Sequence, residues 1–261
     1  IAGNETISTV LGPFFRENAP VMPKGASTAQ KDFDTQETVF VEGYVRDTEG
    51  NPIAGAIIDV WEDAPNGLYE NHDPDQPDYN LRGRFETDEN GYFALRALRP
   101  VPYPIPSDET AGELLRYMGH HPNRPGHLHF ILAKEGYRTL VSQIYDRSSK
   151  WLDNDSVFAV KADLIGEFKK APAGADTDLT LRFDFALPRA DAARMAVRYL
   201  FTARRSSHAD AHSPHPGLRG CIDGPLGPCR NRRIPKRAGH PASHRADRWF
   251  AESLGDGLSA G

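Results

Sequence analysis

Thr38-Val39-Phe40-Val41-Glu42-Gly43-Tyr44-Val45 alternates from residue to residue, and a strand turns successive side chains to opposite faces. This period of two marks the stretch as a strand and opens a middle of the chain that reads as β-rich. Glu49-Gly50-Asn51-Pro52 reads as a turn, and Ala56 to Trp61 as the next strand. Arg84 to Thr87 runs through Asp88-Glu89-Asn90-Gly91 into Tyr92 to Leu95, a hairpin signal. His127 to Ala133, Thr139 to Tyr145 and Leu179 to Phe185 are further strands. Glu109 to Met118 reads as a short helix, and Val157 to Glu167 as a second. Short strands with regular turns predict a mainly β chain built as an antiparallel β-sandwich with short helices.

The chemistry concentrates in Arg124-Pro125-Gly126-His127-Leu128-His129-Phe130. On a strand, His127 and His129 project side by side, with Leu128 and Phe130 toward the core. Two parallel imidazoles are half of a metal site, and imidazole suits Fe, Cu, Ni and Zn. A lone pair of this kind is nonetheless more often structural. The sequence brings no Asp, Glu or Cys obviously to the pair, but it offers Tyr69 and Tyr103. Phenolate is a hard anionic donor that favours Fe(III), although most tyrosines are amphipathic core residues.

Several motifs in order carry a resemblance. They are Val10-Leu11-Gly12-Pro13-Phe14-Phe15, Asp59-Val60-Trp61, Asn80-Leu81-Arg82-Gly83-Arg84, Pro102-Tyr103-Pro104-Ile105-Pro106, Gly119 to Phe130, and Trp151 to Phe158. From about Thr9 to about Leu187 the chain resembles the intradiol ring-cleavage dioxygenases, and within them the hydroxyquinol 1,2-dioxygenase branch. The family usually has Ala where Gly126 stands, and the smaller residue is expected to be tolerated.

The resemblance implies a non-haem Fe(III) held by Tyr69, Tyr103, His127 and His129. Tyr79 lies close to Tyr69 in sequence, but the Gly67-x-Tyr69 context fits better. It implies that Arg124 stabilises negative charge on the substrate ring, that Tyr103 helps take up a catechol proton, and that Gln143 is a polar residue of the active site. Pro104, Ile105 and Val157 are expected to contact substrate. The implied substrates are a small catechol and O2. Hydroxyquinol (benzene-1,2,4-triol) is favoured, giving 3-hydroxy-cis,cis-muconate and then maleylacetate. Catechol or chlorocatechol cleavage is the alternative within the class; an inactive relic or a β-sandwich binding module lies outside it.

Three segments follow: an N-terminal arm over residues 1–30, a catalytic sandwich over 31–188, and a tail over 189–261. The family's helical N-terminal segment, which contributes to its homodimer interface and its pocket, is not seen before Glu5. The expectation is therefore weak dimerisation and a more open pocket. The tail has 13 Lys and Arg against 6 Asp and Glu, so it carries +7 of a chain whose net charge is −5. With Cys221, Cys229 and five histidines it could suggest nucleic acid or zinc. The cysteine spacing fits no finger, and the Arg-Pro-Ala-Gly-His mixture reads as disordered, frameshifted sequence. No nucleic-acid partner is expected. No apolar run reaches a membrane span of roughly 18 residues, and no signal peptide is seen, so a cytoplasmic location is expected.

Overall fold

The computed structural model describes residues 4–33, 35–107 and 110–190; the segment read above as a disordered tail lies outside the described residues, apart from Arg189 and Ala190. The strands, in chain order, are β1 (Thr38–Asp47), β2 (Ile57–Trp61), β3 (Arg82–Glu86), β4 (Tyr92–Leu98), β5 (Tyr103–Pro104) and β6 (Asn123–Arg124). There follow β7 (His127–Ala133), β8 (Leu140–Asp146), β9 (Ile165–Gly166), β10 (Lys169–Lys170), β11 (Leu179–Arg182) and β12 (Phe185–Leu187). The single α-helix among the described residues is α1 (Thr110–Tyr117), within the span predicted for it.

The alternation in β1 translates directly into burial, with every second residue from Val39 to Asp47 inside. Val39, Val41 and Val45 meet Phe93 and Leu95 of β4 and Leu181, Phe185 and Leu187 from one sheet. Ile58, Val60, Phe85, Leu128, Phe130, Leu132 and Ile144 come from the other. This apolar layer is the core of a two-sheet sandwich. Leaving the cavity of one such side chain, as in Phe130→Ala, costs about 3–5 kcal/mol.

Three expectations about elements are corrected. The sheets are mixed: β1 pairs antiparallel with β4 but parallel with both β11 and β12, and β8 pairs parallel with β9. The chain returns to β1 from a distance through a long connection, which permits parallel pairing where a tight hairpin would not. Next, β3 and β4 are not a hairpin. The turn forms, with Gly91 N–H donating to Asp88 O, but β3 pairs with β2 and β4 with β1. The turn therefore crosses the sandwich and carries the chain from one sheet to the other. Finally, Val157–Glu167 is not an α-helix. The Asp155 carboxylate takes the Val157 and Ala159 amides, and Phe158 sits at φ 55°, so a side chain replaces the helical ladder. A 3-10 turn at Ala162–Leu164 and then β9 occupy the rest.

The second sheet, β3-β2-β7-β8-β9, gives one face to the core and the other to the site. The N-terminal segment runs along the edge of β8 and then onto that second face. Thr9 N–H donates to Val141 O at 2.9 Å, Ser142 Oγ to Ile7 O at 3.0 Å, and Gln143 Nε2 to Val10 O at 2.8 Å. Gly12 has φ +76°, and a Cβ there would sit 3.1 Å from Cε1 of His129, so the arm needs glycine to pass the imidazole. Gly126 is equally constrained: a Cβ would meet Pro100 O at 2.4 Å, so in this chain the small residue is required by the close backbone rather than merely tolerated.

Candidate metal centre and catalytic residues

β7 turns His127 and His129 away from the core that Leu128 and Phe130 enter, and both imidazoles are fully buried. Their Nε2 atoms are 3.1 Å apart. The Tyr69 hydroxyl, at the end of the 64–69 turn, lies 3.3 Å from His129 Nε2. Tyr103, on β5, places its ring 5.9 Å from that of Tyr69 and 5.7 Å from that of His127. Tyr79 goes elsewhere, its hydroxyl donating to Glu17 O beneath the Arg16 guanidinium. The four residues expected from the motifs therefore converge, although 60 residues separate Tyr69 from His129.

Electrostatics keep these donors unprotonated or costly to ionise. Burial holds both imidazoles well below the ordinary histidine range; Arg124 pushes both further down, after His127 in the case of His129. His127 donates Nδ1–H to Pro125 O at 2.7 Å, which leaves its Nε2 lone pair facing the site. Burial raises the phenols of Tyr69, strongly, and Tyr103. Dry phenols become phenolates only beside a cation. Two oxygen donors needing a cation and two neutral imidazoles fit a hard, highly charged metal ion. Separations of 3.1 and 3.3 Å suit donors that each stand about 2 Å from one ion.

Arg124, only 2% exposed, stands beside them. Its Nε and Nη2 donate to Asp155 at 3.1 and 3.3 Å, and Nη2 also donates to Gln143 Oε1 at 2.9 Å. Nη1 lies 3.1 Å from His127 Nε2. Burial alone would lower its pKa, but Tyr103 and Asp155 outweigh this and the net displacement is upward. Tyr145 donates to the same Gln143 oxygen at 2.5 Å, and Gln143 Nε2 faces both Val10 O and, at 3.2 Å, His129 Nδ1, so that amide is oriented by four partners. Ile105 packs against Trp61, Tyr69 and Tyr103, Pro104 pairs with Asn123, and Val157 N–H donates to Asp155.

Other residues of the site escaped the sequence reading. Asp155, Tyr145 and Trp61 lie in motifs or strands but carry no local mark of a role. Trp61 stacks on His129 with ring centroids 4.6 Å apart and planes at 9°. Strand register could have found it: Arg82, Trp61, His129 and Gln143 are successive partners across β3, β2, β7 and β8. Directly paired residues share a face, so these four form one row. Asp63 is buried, neither carboxylate oxygen has a hydrogen-bond partner, and its ionised form would raise the phenols of Tyr69 and Tyr103 further. Burial raises its pKa well above the carboxylate range.

Comparison with known proteins decides the family. The dioxygenase family profile matches residues 10–189, and that span contains every residue of the site. This chain belongs to the intradiol ring-cleavage dioxygenase family. Among these dioxygenases it is 45% identical over 185 residues to catechol 1,2-dioxygenase of Candida albicans, covering 70% of this chain and 61% of the relative. To hydroxyquinol 1,2-dioxygenase of a Rhizobium species it is 46% identical over 164 residues, covering 62% and 55%. The chain thus spans less than two thirds of either relative's length. Its fold is similar to the crystal structure of hydroxyquinol 1,2-dioxygenase from Pseudomonas putida DLL-E4. The TM-score is 0.69 at 38% identity, over 73% of this chain and 68% of that one.

Proposed function

We propose that this chain is the catalytic core of a non-haem Fe(III) dioxygenase that cleaves hydroxyquinol with O2 between its vicinal hydroxyls, giving 3-hydroxy-cis,cis-muconate, which tautomerises to maleylacetate. The observation that carries the reading is the convergence of Tyr69, His127 and His129, with Tyr103 against them, beside a buried cation. A non-catalytic sandwich has no reason to bury two phenols and two neutral imidazoles together with their Nε2 atoms 3.1 Å apart. Fe(III) held by these four residues would supply a Lewis acid and electron acceptor for a chelated catechol.

The chain's own groups have definite tasks in this reading. Tyr103 takes a catechol proton at its phenolic oxygen; a phenol raised by burial holds a proton well once it has one. Arg124 stays cationic at every relevant pH and is fixed by Asp155 and Gln143, so it offers stabilisation of ring negative charge without reorganising. Gln143, held by Val10 and Tyr145, keeps Arg124 and the Nδ1 edge of His129 in register. Pro104, Ile105 and Val157 border the substrate. Catechol and chlorocatechol remain the competing substrates, because relatives of both kinds match at similar identity.

The test is the visible spectrum of the iron-loaded protein, before and after anaerobic hydroxyquinol. A broad tyrosinate-to-Fe(III) band that shifts on addition is expected. Air should then consume one O2 per hydroxyquinol, with kcat/KM above that for catechol. A colourless protein after iron loading sinks the reading; a coloured protein that prefers catechol moves the substrate only.

A further inference from the structure

Arg82 is the largest fully buried side chain among the described residues. Its Nε donates to Glu70 Oε2 at 2.7 Å and its Nη1 to Phe14 O at 2.7 Å, while Nη2 has no hydrogen-bond partner. The guanidinium carbon lies 5.7 Å from the centroid of the Tyr69 ring. Glu70 is the neighbour of Tyr69 in the chain, and its other oxygen accepts from Arg16 at 2.5 Å. Arg16 follows Phe14 and Phe15, whose rings lie 4.6 Å from Tyr69 and 5.1 Å from Trp61. One carboxylate thus ties the arm to the Tyr69 turn, and one guanidinium holds both. Arg82 also heads the register row that runs through Trp61 to His129.

The backbone is bent to deliver this residue. Tyr79 and Leu81 both have φ 59°, a left-handed conformation that non-glycine residues seldom adopt. Between them, buried Asn80 donates to Gln76 and accepts the Gln30 amide. A buried ion pair is a poor source of stability, since apolar residues of similar volume often do as well. A strained approach to a buried pair beside a metal donor calls for another account.

We propose that Arg82 is a positioning residue for the metal centre: with Glu70 it locks the Tyr69 phenolate in place, and its charge tempers the electron donation of that phenolate to the ion. The inference rests on the iron reading above. A cation near the ring stabilises the phenolate electrons, so more energy is needed to move one to Fe(III). Arg82→Gln should therefore move the tyrosinate band to longer wavelength and speed iron release to a chelator severalfold. Arg82→Lys, which keeps the charge but not the fork, should return the band toward the wild-type position while iron release stays fast.

The experiment compares visible and resonance Raman spectra, iron per chain and chelator release for the wild type and both variants. Arg82→Gln with full iron, an unmoved band and unchanged release overturns the proposal. If Arg82→Gln does not fold, Arg16→Gln opens the exposed side of the same network. It should shift the band the same way and speed release, and no change in either overturns the proposal. A wild type that shows no tyrosinate band on iron loading removes the iron reading itself, and this inference with it.

Discussion

Arg124 makes its contacts through every nitrogen of one guanidinium, so substitution has two effects that can be separated. Arg124→Met should lower kcat by about 10²–10³, the loss typical of a fixed charge-stabilising donor. It also strands Asp155, which is buried, at a cost of about 3–5 kcal/mol. Arg124→Met with Asp155→Asn should recover much of that stability in urea melts while kcat stays low. Recovery of activity with stability would make Arg124 a structural residue. At this scale the motifs made Tyr103, His127, His129 and Arg124 legible, because each lies in a short distinctive run. Asp63 was not legible: nothing local distinguishes a buried, unpartnered carboxyl from a surface one.

At the scale of elements, period-two patterning located the strands, and burial followed it residue by residue in β1. Partners were less legible. The Asp88–Gly91 turn has the chemistry of a hairpin, yet its strands join different sheets, because turn residues specify a local bend and not the strand that comes alongside. The expected helix at 157–167 failed for a comparable reason, since Asp155 captures the amides that would begin it. The arm depends on one glycine. Gly12→Ala forces a left-handed alanine and a contact on His129, and should cost about 1–2 kcal/mol or more. In hydrogen exchange, the Thr9 amide that pairs with Val141 should lose protection. Unchanged protection would show that the arm does not hold the site closed.

For the whole molecule, buried groups of opposite kind oppose each other in pH. His127 and His129 are depressed on folding, so their contribution is present above the unfolded value of about 6.5 and is lost as pH falls. Glu62 and Asp63 are raised on folding, mainly by burial, so theirs is full below about 4 and is lost as pH rises toward their folded values. Asp63→Asn removes one acid from this balance. The stability of metal-free Asp63→Asn should therefore gain on the wild type by about 1.4 kcal/mol per pH unit above pH 4. Parallel curves in urea titrations between pH 4.5 and 7 would mean that Asp63 is ionised in the fold. Because the proposed ligands span only Tyr69 to His129, truncation after Ala190 should leave iron per chain unchanged; loss of iron would implicate the segment beyond.

The sequence by itself determined the strand periodicity, the apolar layer and the residue types that a hard metal ion needs, because period and donor chemistry are local properties. Only the tertiary structure decided that β3 and β4 part across the sandwich, that Arg82, Trp61, His129 and Gln143 share one row, and that Asp155 binds Arg124 while Glu70 binds both Arg16 and Arg82. Those facts depend on which strand lies beside which. Strand pairing is settled by burying a whole core at once, and no short stretch of this chain contains that information.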